Sequence, residues 1–232
     1  MDPNQQQLLL GYGGGKSSAT YVDDVFSTHV YRGNSNLYKL NYIDNGIRLG
    51  TSNFGSSTLF TVEDEEIRYG DSQDWYFDNN DFTIECWIRS KQDTSSYFTA
   101  LGQWDGSNNR GWMIRYSSQD IGTGWSFFYS KDGSNYSGSG GGTAMGSDIS
   151  DGNWHHVAIT RSNSTIRIFI DGQLMDSASN TQSYSPNSGS PRFIIGAGND
   201  GSVNGDYDGN IADFRLINGT CLYVSDFKPP ST

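Results

Sequence analysis

The sequence predicts an all-β protein, and three observations support this class. Short runs that alternate apolar and polar residues recur along most of the chain, for example FTIECWIR and GWMIRY. The 29 glycines, with many Ser, Asn and Asp residues, are typical of the turns between strands. No long stretch repeats its apolar residues at helical spacing. About a dozen short strands with turns roughly every 8 to 12 residues therefore indicate a two-sheet antiparallel sandwich or barrel.

Residues 1–50 differ from the rest of the chain, and we interpret them as an N-terminal arm or attachment segment. They contain a Gln-rich start, the stretch GYGGGKSS and the stretch TYVDDVFSTHVYRGN. LGYGGGKSS lacks the first glycine of a phosphate-binding loop, because Leu10 stands there. Val22, Phe26 and Val30 form an apolar row on either a helix or a strand. We expect a partner, or the same arm of a symmetry mate, to cover this row.

Residues 51–232 form one main domain in this interpretation, with its strands at TLFTV, EIRY, FTIECWIR, FTALGQW, GWMIRY, WSFFYS, FIIGAG and NIADFRLI. Residues 151–173, DGNWHHVAITRSNSTIRIFIDGQ, predict a three-strand antiparallel meander. Its first turn is predicted over residues 161–164, and its second at Asp171-Gly172, a pair that suits positive φ. Because neighbouring strand residues point to opposite faces, His155 and His156 should face apart. This arrangement favours a structural role over a catalytic pair.

Several motifs occur together in a fixed order, and they resemble one family. They are DFTIECWIR, WSFFYSKDG, NWHHVAITR followed by a strand and DG, RFIIGAG, and DFRLINGTCLYVSDFKPP. The chain from about residue 51 to 230 resembles a laminin G-like domain of the concanavalin A-like lectin/glucanase superfamily. The resemblance implies a jelly roll of two antiparallel sheets. The ending, and the segment ATYVDDVFSTHVYRGN, also resemble virion structural proteins of marine bacteriophages.

Charge and composition exclude several partners. A net charge of -11 opposes binding to a phosphate backbone, so we expect no nucleic-acid partner. We find neither a secretory signal nor a membrane-spanning stretch. We therefore expect the protein to be made in the host cytoplasm and not to insert into a membrane. Cys86 and Cys221 are too few and too far apart to indicate a disulfide framework.

The loop QWDGSNNRGW combines aromatic rings with polar side chains, as sugar-binding loops do. The candidate glycan-binding residues are Trp104, Asp105, Asn108, Asn109 and Trp112. The alternative is that Trp104 and Trp112 cover the ends of the hydrophobic core, which we favour because no regular aromatic ladder is present.

The stretch VEDEE places Glu63 and Glu65 on one strand face, which is the arrangement of a glycosidase carboxylate pair. Its acids are contiguous, however, and do not alternate with apolar residues as the glucanase pattern requires. A solvated turn explains such a run more simply. We therefore predict no catalytic residues and no enzymatic activity.

Calcium is the one cofactor that the sequence suggests. The resemblance implies that Asp213 stands where related domains use an aspartate to hold a structural calcium ion. The Asx-rich loop NDGSVNGDYDGN supplies further oxygen atoms nearby, although it equally suits an ordinary turn.

These observations predict a non-enzymatic bacteriophage virion protein, on the capsid or tail, that displays a lectin-like jelly roll. Residues 1–50 would contact other virion proteins, and we expect a homo-oligomer or assembly in many copies. The alternative function is a lectin that attaches to a host-surface glycan.

Overall fold

The fold was obtained as a computed structural model, and it describes residues 29–32, 36–38, 48–50, 57–60, 67–69, 76–90, 98–105, 109–117, 124–130, 133, 142–144, 148–181, 193–197 and 207–230. The fifteen strands of this part are β1 His29–Arg32, β2 Asn36–Tyr38, β3 Arg48–Gly50, β4 Ser57–Phe60, β5 Ile67–Tyr69, β6 Phe82–Ser90, β7 Phe98–Asp105, β8 Asn109–Ser117, β9 Gly124–Tyr129, β10 Gly142–Ala144, β11 Trp154–Ser162, β12 Thr165–Ile170, β13 Gln173–Ser179, β14 Phe193–Ile195 and β15 Gly209–Asn218. Within these ranges there is no helix, and hence none that could cross a membrane.

The strands form two sheets, which confirms the predicted all-β sandwich. The larger sheet has nine strands, in the order β13-β12-β11-β6-β15-β1-β2, with β4 paired to both β15 and β3. The smaller sheet has six strands, in the order β10-β9-β8-β7-β14-β5. The described strand pairs are antiparallel except for β1 and β15, which run parallel. This is the two-sheet arrangement of a concanavalin A-like jelly roll.

Three short strands inside residues 1–50 extend the larger sheet. β1 pairs with Arg215 to Asn218 of β15, β2 pairs with β1, and β3 pairs with β4. Val30 is part of β1, whereas Val22 and Phe26 lie outside the described residues. The attachment role of residues 1–50 stays a prediction.

The predicted meander is confirmed, and its turns explain its register. Asn163-Ser164 and Asp171-Gly172 are the central pairs of two-residue turns, and all four residues have positive φ, between 49° and 78°. Such turns match the twist of paired strands, and Asn, Asp and Gly tolerate them best. The first turn is shorter than predicted, because Arg161 and Ser162 continue β11 and pair with β12.

The hydrophobic core lies between the sheets and follows the alternation of the sequence. From the larger sheet it receives Ile84, Cys86 and Ile88 of β6, together with alternate residues of β11, β12 and β15. From the smaller sheet it receives alternate aromatic residues of β8 and β9, among them Trp112 and Phe127. Cys86 has a free, buried thiol whose pKa burial raises, and Cys221 is also free.

The outer face of the larger sheet is covered by residues 220–229, which we call the covering segment. The Thr83 hydroxyl donates to the carbonyl of Thr220 (2.9 Å), and the Thr160 hydroxyl donates to that of Tyr223 (2.8 Å). The amide of Phe227 donates to the carbonyl of Gly172 (2.9 Å). Gly172 has a φ of 78°, and a Cβ there would strike the Phe227 carbonyl, so only glycine allows this contact.

Candidate functional site

The two adjacent histidines face apart, as predicted. His156 points to the outer face of the larger sheet, where it is 1% exposed beneath the covering segment. The Phe227 ring contacts its imidazole edge-on, with 5.7 Å between ring centroids. His155 lies instead at the rim of the sandwich, between two aspartates. The histidines therefore form two separate sites.

His156 belongs to a buried ionic cluster with Glu85 and Arg215. Its Nε2 lies 3.4 Å from Glu85 Oε2, and the Arg215 guanidinium pairs with Glu85 Oε1. Burial opposes ionisation of Glu85, but the contact with His156 and the charge of Arg215 outweigh it, so the Glu85 pKa lies below its usual value. With Glu85 and His156 sealed from solvent, we interpret the cluster as structural.

His155 is held between carboxylates from two loops. Its Nδ1 lies 2.9 Å from Asp171 Oδ2, and its Nε2 lies 3.2 Å from Asp151 Oδ1. Burial lowers the His155 pKa, but the bonds to the two aspartates outweigh burial and raise it. Asp171 also accepts the backbone amide of His156. The imidazole thus links the loop before β11 to the β12–β13 turn.

The two candidate tryptophans lie on opposite faces of the smaller sheet. Trp112 is 0% exposed and packs between Phe77, Phe127 and Phe193 in the core. Its ring is therefore part of the core, which is the alternative that the sequence analysis favoured for this residue. Trp104 points away from this core. Asn108 and the side chains of Asp105 and Asn109 lie outside the described residues, so their predicted role stays a prediction.

Trp104 belongs to a second cluster on the outer face of the smaller sheet, with Met113 and Phe128. Two arginines lie on its aromatic rings: the Arg110 guanidinium is 5.4 Å from the Trp104 ring centroid, and that of Arg115 is 3.5 Å from the Phe128 centroid. Such stacking fixes the plane of each guanidinium against its ring. We call this set of residues the aromatic–arginine face.

Three buried polar atoms on this side of the smaller sheet have no hydrogen-bond partner. They are Nε1 of Trp104, Nε of Arg115 and Oγ of Ser126, a residue next to the aromatic–arginine face on β9. Trp104 lies opposite Arg110 in the β7–β8 ladder, and Ser126 lies opposite Arg115 in the β8–β9 ladder. Sequence reasoning identified Trp104 alone, although alternation in GWMIRY and WSFFYS places Met113, Arg115, Ser126 and Phe128 on the face opposite the core.

Asp213 lies at an irregularity of β15. Its φ is 50°, and the pairing with β6 shifts register between Ala212 and Arg215. Over the described ranges, no group of three or more His, Cys, Asp or Glu residues could hold a metal ion. One half-buried carboxylate does not by itself form a calcium site, and most of the Asx-rich loop lies outside the described residues. The VEDEE stretch, the candidate for a glycosidase, also lies outside them. Calcium binding stays a prediction.

The comparison with known families agrees with the two-sheet jelly roll described above. The laminin G family model of the concanavalin A-like lectin/glucanases superfamily matches residues 54–222. The chain therefore belongs to this superfamily. A search of curated protein sequences finds no match.

Solved structures with the same fold are distant in sequence. The binding domain of Paraclostridial Mosquitocidal Protein 1 has a TM-score of 0.60 at 16% identity, covering 78% of this chain and 44% of that one. Domain 4 of AbnA, an extracellular arabinanase from Geobacillus stearothermophilus, has a TM-score of 0.57 at 17% identity, covering 77% and 78%. A botulinum neurotoxin type C structure has a TM-score of 0.56 at 16% identity, covering 77% and 42%. The chain thus spans less than half of the two toxin chains, and these likenesses concern the fold.

Proposed function

We propose that the chain is a non-enzymatic, lectin-like binding module that a bacteriophage virion displays toward a cell-surface glycan. The observation that carries the binding role is the laminin G-like jelly roll, which the chain shares with binding domains of other proteins; Trp104 is the candidate residue that lies outside the main core. Aromatic rings combined with a few polar groups are typical of ligand sites. Domain 4 of AbnA was solved with arabinotriose, and the neurotoxin structure concerns two ganglioside molecules, which makes a glycan the first ligand class to test.

The test is binding of the purified full chain to an array of neutral and acidic oligosaccharides. Trp104→Phe keeps an aromatic ring but removes the Nε1 donor, and we expect it to weaken binding at least several-fold. Trp154→Phe, in the larger sheet, is the matched control and should bind normally. If the folded wild-type chain binds no glycan, the lectin function is refuted. If both variants bind like the wild type, the aromatic–arginine face is not the site.

The non-enzymatic part of the proposal has its own test. A glycoside hydrolase needs two suitably spaced carboxyl groups, for which VEDEE provides the remaining candidates. We expect no release of reducing ends from laminarin, agarose or carrageenan. Release that disappears in the Glu63→Gln, Glu65→Gln double variant would show an enzyme.

The virion context rests on the resemblance of the N-terminal segment and of the ending DFRLINGTCLYVSDFKPP to phage structural proteins. We propose that residues 1–50 attach the module to other virion proteins, on the capsid or the tail, in multiple copies. Deleting residues 1–28 leaves β1 in place beside β15, so the sandwich should still fold. We expect the truncated protein to stay folded but to lose incorporation into particles. Equal particle reconstitution and equal light scattering of both proteins would refute this role.

A further inference from the structure

The covering segment packs on the sandwich without being part of its core. Residues 220–229 contain no strand, and they continue from the end of β15 through Gly219, whose φ is 93°. Neither aromatic residue of the segment, Tyr223 or Phe227, belongs to the core between the sheets. Phe169, the buried ring that both of them contact, is likewise outside that core. The segment can therefore leave the outer face of the larger sheet without opening the core.

The covering segment is held at both ends through its backbone. At the end next to β15, the amide of Leu222 donates to the Thr83 hydroxyl (2.9 Å), and Leu222 itself is 41% exposed. At the other end, the amide of Phe227 donates to the carbonyl of Gly172 (2.9 Å). Segments with few buried apolar contacts and with backbone hydrogen bonds close to solvent open locally at a lower free energy than core strands. The covering segment has both properties.

Beneath the covering segment, the closed arrangement leaves one polar atom unsatisfied. Nδ1 of His156 is buried and has no hydrogen-bond partner, while Nε2 of the same ring lies 3.4 Å from Glu85 Oε2. A buried polar atom without a partner destabilises the state that buries it. Phe227 is the ring of the segment that contacts this imidazole, so water reaches the imidazole when the segment moves away. The closed state thus contains a local penalty that opening removes.

Tyr223 opposes this penalty, because it joins the covering segment to the buried ionic cluster. Its hydroxyl accepts a hydrogen bond from Arg215 (3.3 Å) and also bonds to the Glu85 carboxylate. Burial, together with the charge of Glu85, raises the pKa of Tyr223, so the hydroxyl stays protonated and donates to the carboxylate. The Tyr223 ring stacks on that of Phe227, with 3.6 Å between the centroids and 4° between the planes. A change at the hydroxyl therefore affects the far end of the segment as well.

We propose that the covering segment is a conformational device: it opens and closes as one unit about its junction with β15 while the sandwich stays folded, and the Tyr223 hydroxyl holds it closed. Opening uncovers the Phe169 ring and brings water to Glu85 and His156. The proposal is independent of the glycan-binding role, because the segment lies on the larger sheet and the candidate residue Trp104 belongs to the smaller one.

Amide hydrogen exchange of the full chain, followed residue by residue by NMR, tests this proposal. The amides of Leu222 and Phe227 report opening of the covering segment, and the amides that pair β6 with β11 report unfolding of the sandwich. In the wild type we expect the two segment amides to share one opening equilibrium constant and to be protected at least about a hundredfold less than the ladder amides. Protection equal to that of the ladder, or two unrelated opening constants, would refute opening as a unit.

Two variants separate local opening from unfolding of the whole sandwich. Tyr223→Phe keeps the ring but removes the hydroxyl, and it should weaken the protection of both segment amides by the same factor, roughly threefold to tenfold. Ile114→Val, in the core face of the smaller sheet, should weaken the protection of the ladder amides by a similar factor and leave the segment amides unchanged. Segment amides that follow the ladder in Ile114→Val would overturn the proposal. In Tyr223→Phe, a change at Leu222 or Phe227 alone would contradict opening as a unit, and no change at either amide would contradict the role of the hydroxyl.

Discussion

Replacing Glu85 by glutamine should destabilise the protein, because it removes the charge that holds the buried cluster together. Glutamine keeps the size of the side chain, but Arg215 and His156 lose their carboxylate partner. Removing one member of a buried ion pair costs about 3–5 kcal/mol. The Arg215 side chain is 32% exposed, so water partly replaces the lost carboxylate, and we expect roughly 2–3 kcal/mol at neutral pH.

Urea unfolding measures this loss as a midpoint lowered by about 1 M at an unchanged slope. The control is Asp176→Asn in the fully exposed strand β13, which should change stability by less than about 0.5 kcal/mol. The pH dependence gives an independent check. Since the Glu85 pKa is lower in the folded than in the unfolded protein, its stabilisation is complete above about pH 4.5 and is lost as the pH falls through the folded-state pKa. A deficit in Glu85→Gln that stays constant down to pH 3, or a midpoint equal to that of the control, would refute the ionic role.

Three further predictions concern the rim, the covering segment and calcium. Asp171→Asn keeps the turn but removes one charge beside His155, so an NMR titration should show a lower His155 pKa in the variant. Folding of the wild type raises this pKa. The stabilisation that His155 contributes is therefore present below about pH 6.5 and disappears as the pH rises through the folded-state pKa. Gly172→Ala should lower the free energy of unfolding, measured in urea, clearly more than Gly124→Ala does. Both residues have positive φ, but a Cβ meets the covering segment only at Gly172, whereas a Cβ at Gly124 has open space. Equal losses of unfolding free energy would contradict that contact. Calcium at millimolar concentration should raise the melting midpoint, and Asp213→Asn should abolish the rise, while an unchanged midpoint of the wild type would remove the site.

The alternation of the sequence was sufficient to predict the sheets, because burial of one strand face imposes a period of two residues. It also separated His155 from His156 and identified the Asp171-Gly172 turn, where only a few residue types tolerate positive φ. The sequence did not reveal the covering segment. Its contacts join Phe227 to Gly172 and Tyr223 to Thr160, and no local pattern records a contact between such distant residues.

The candidate site was predicted only in part. A tryptophan in a polar loop suits a sugar site and a hydrophobic core equally well. Only the register of the β7–β8 pairing shows that Trp104 and Trp112 lie on opposite faces of the smaller sheet. The arginines were missed because each is a single charge within a strand. The arginines come together with the aromatic rings only when β7, β8 and β9 pair side by side. Bulges in the β7–β8 pairing also shift which residues lie opposite each other.

The position of β6 constrains how the chain reaches its native state. β6 lies between β11 and β15, so both of its neighbours are synthesised later, roughly 60 and 120 residues further along. At about 5–20 residues per second, ribosomal synthesis leaves its apolar face and both backbone edges unsatisfied for on the order of ten seconds. Pairing over such separations also slows folding in bulk solution, to the millisecond-to-second range of β sandwiches. Nascent chains of this protein should therefore depend on chaperones until β15 has left the ribosome.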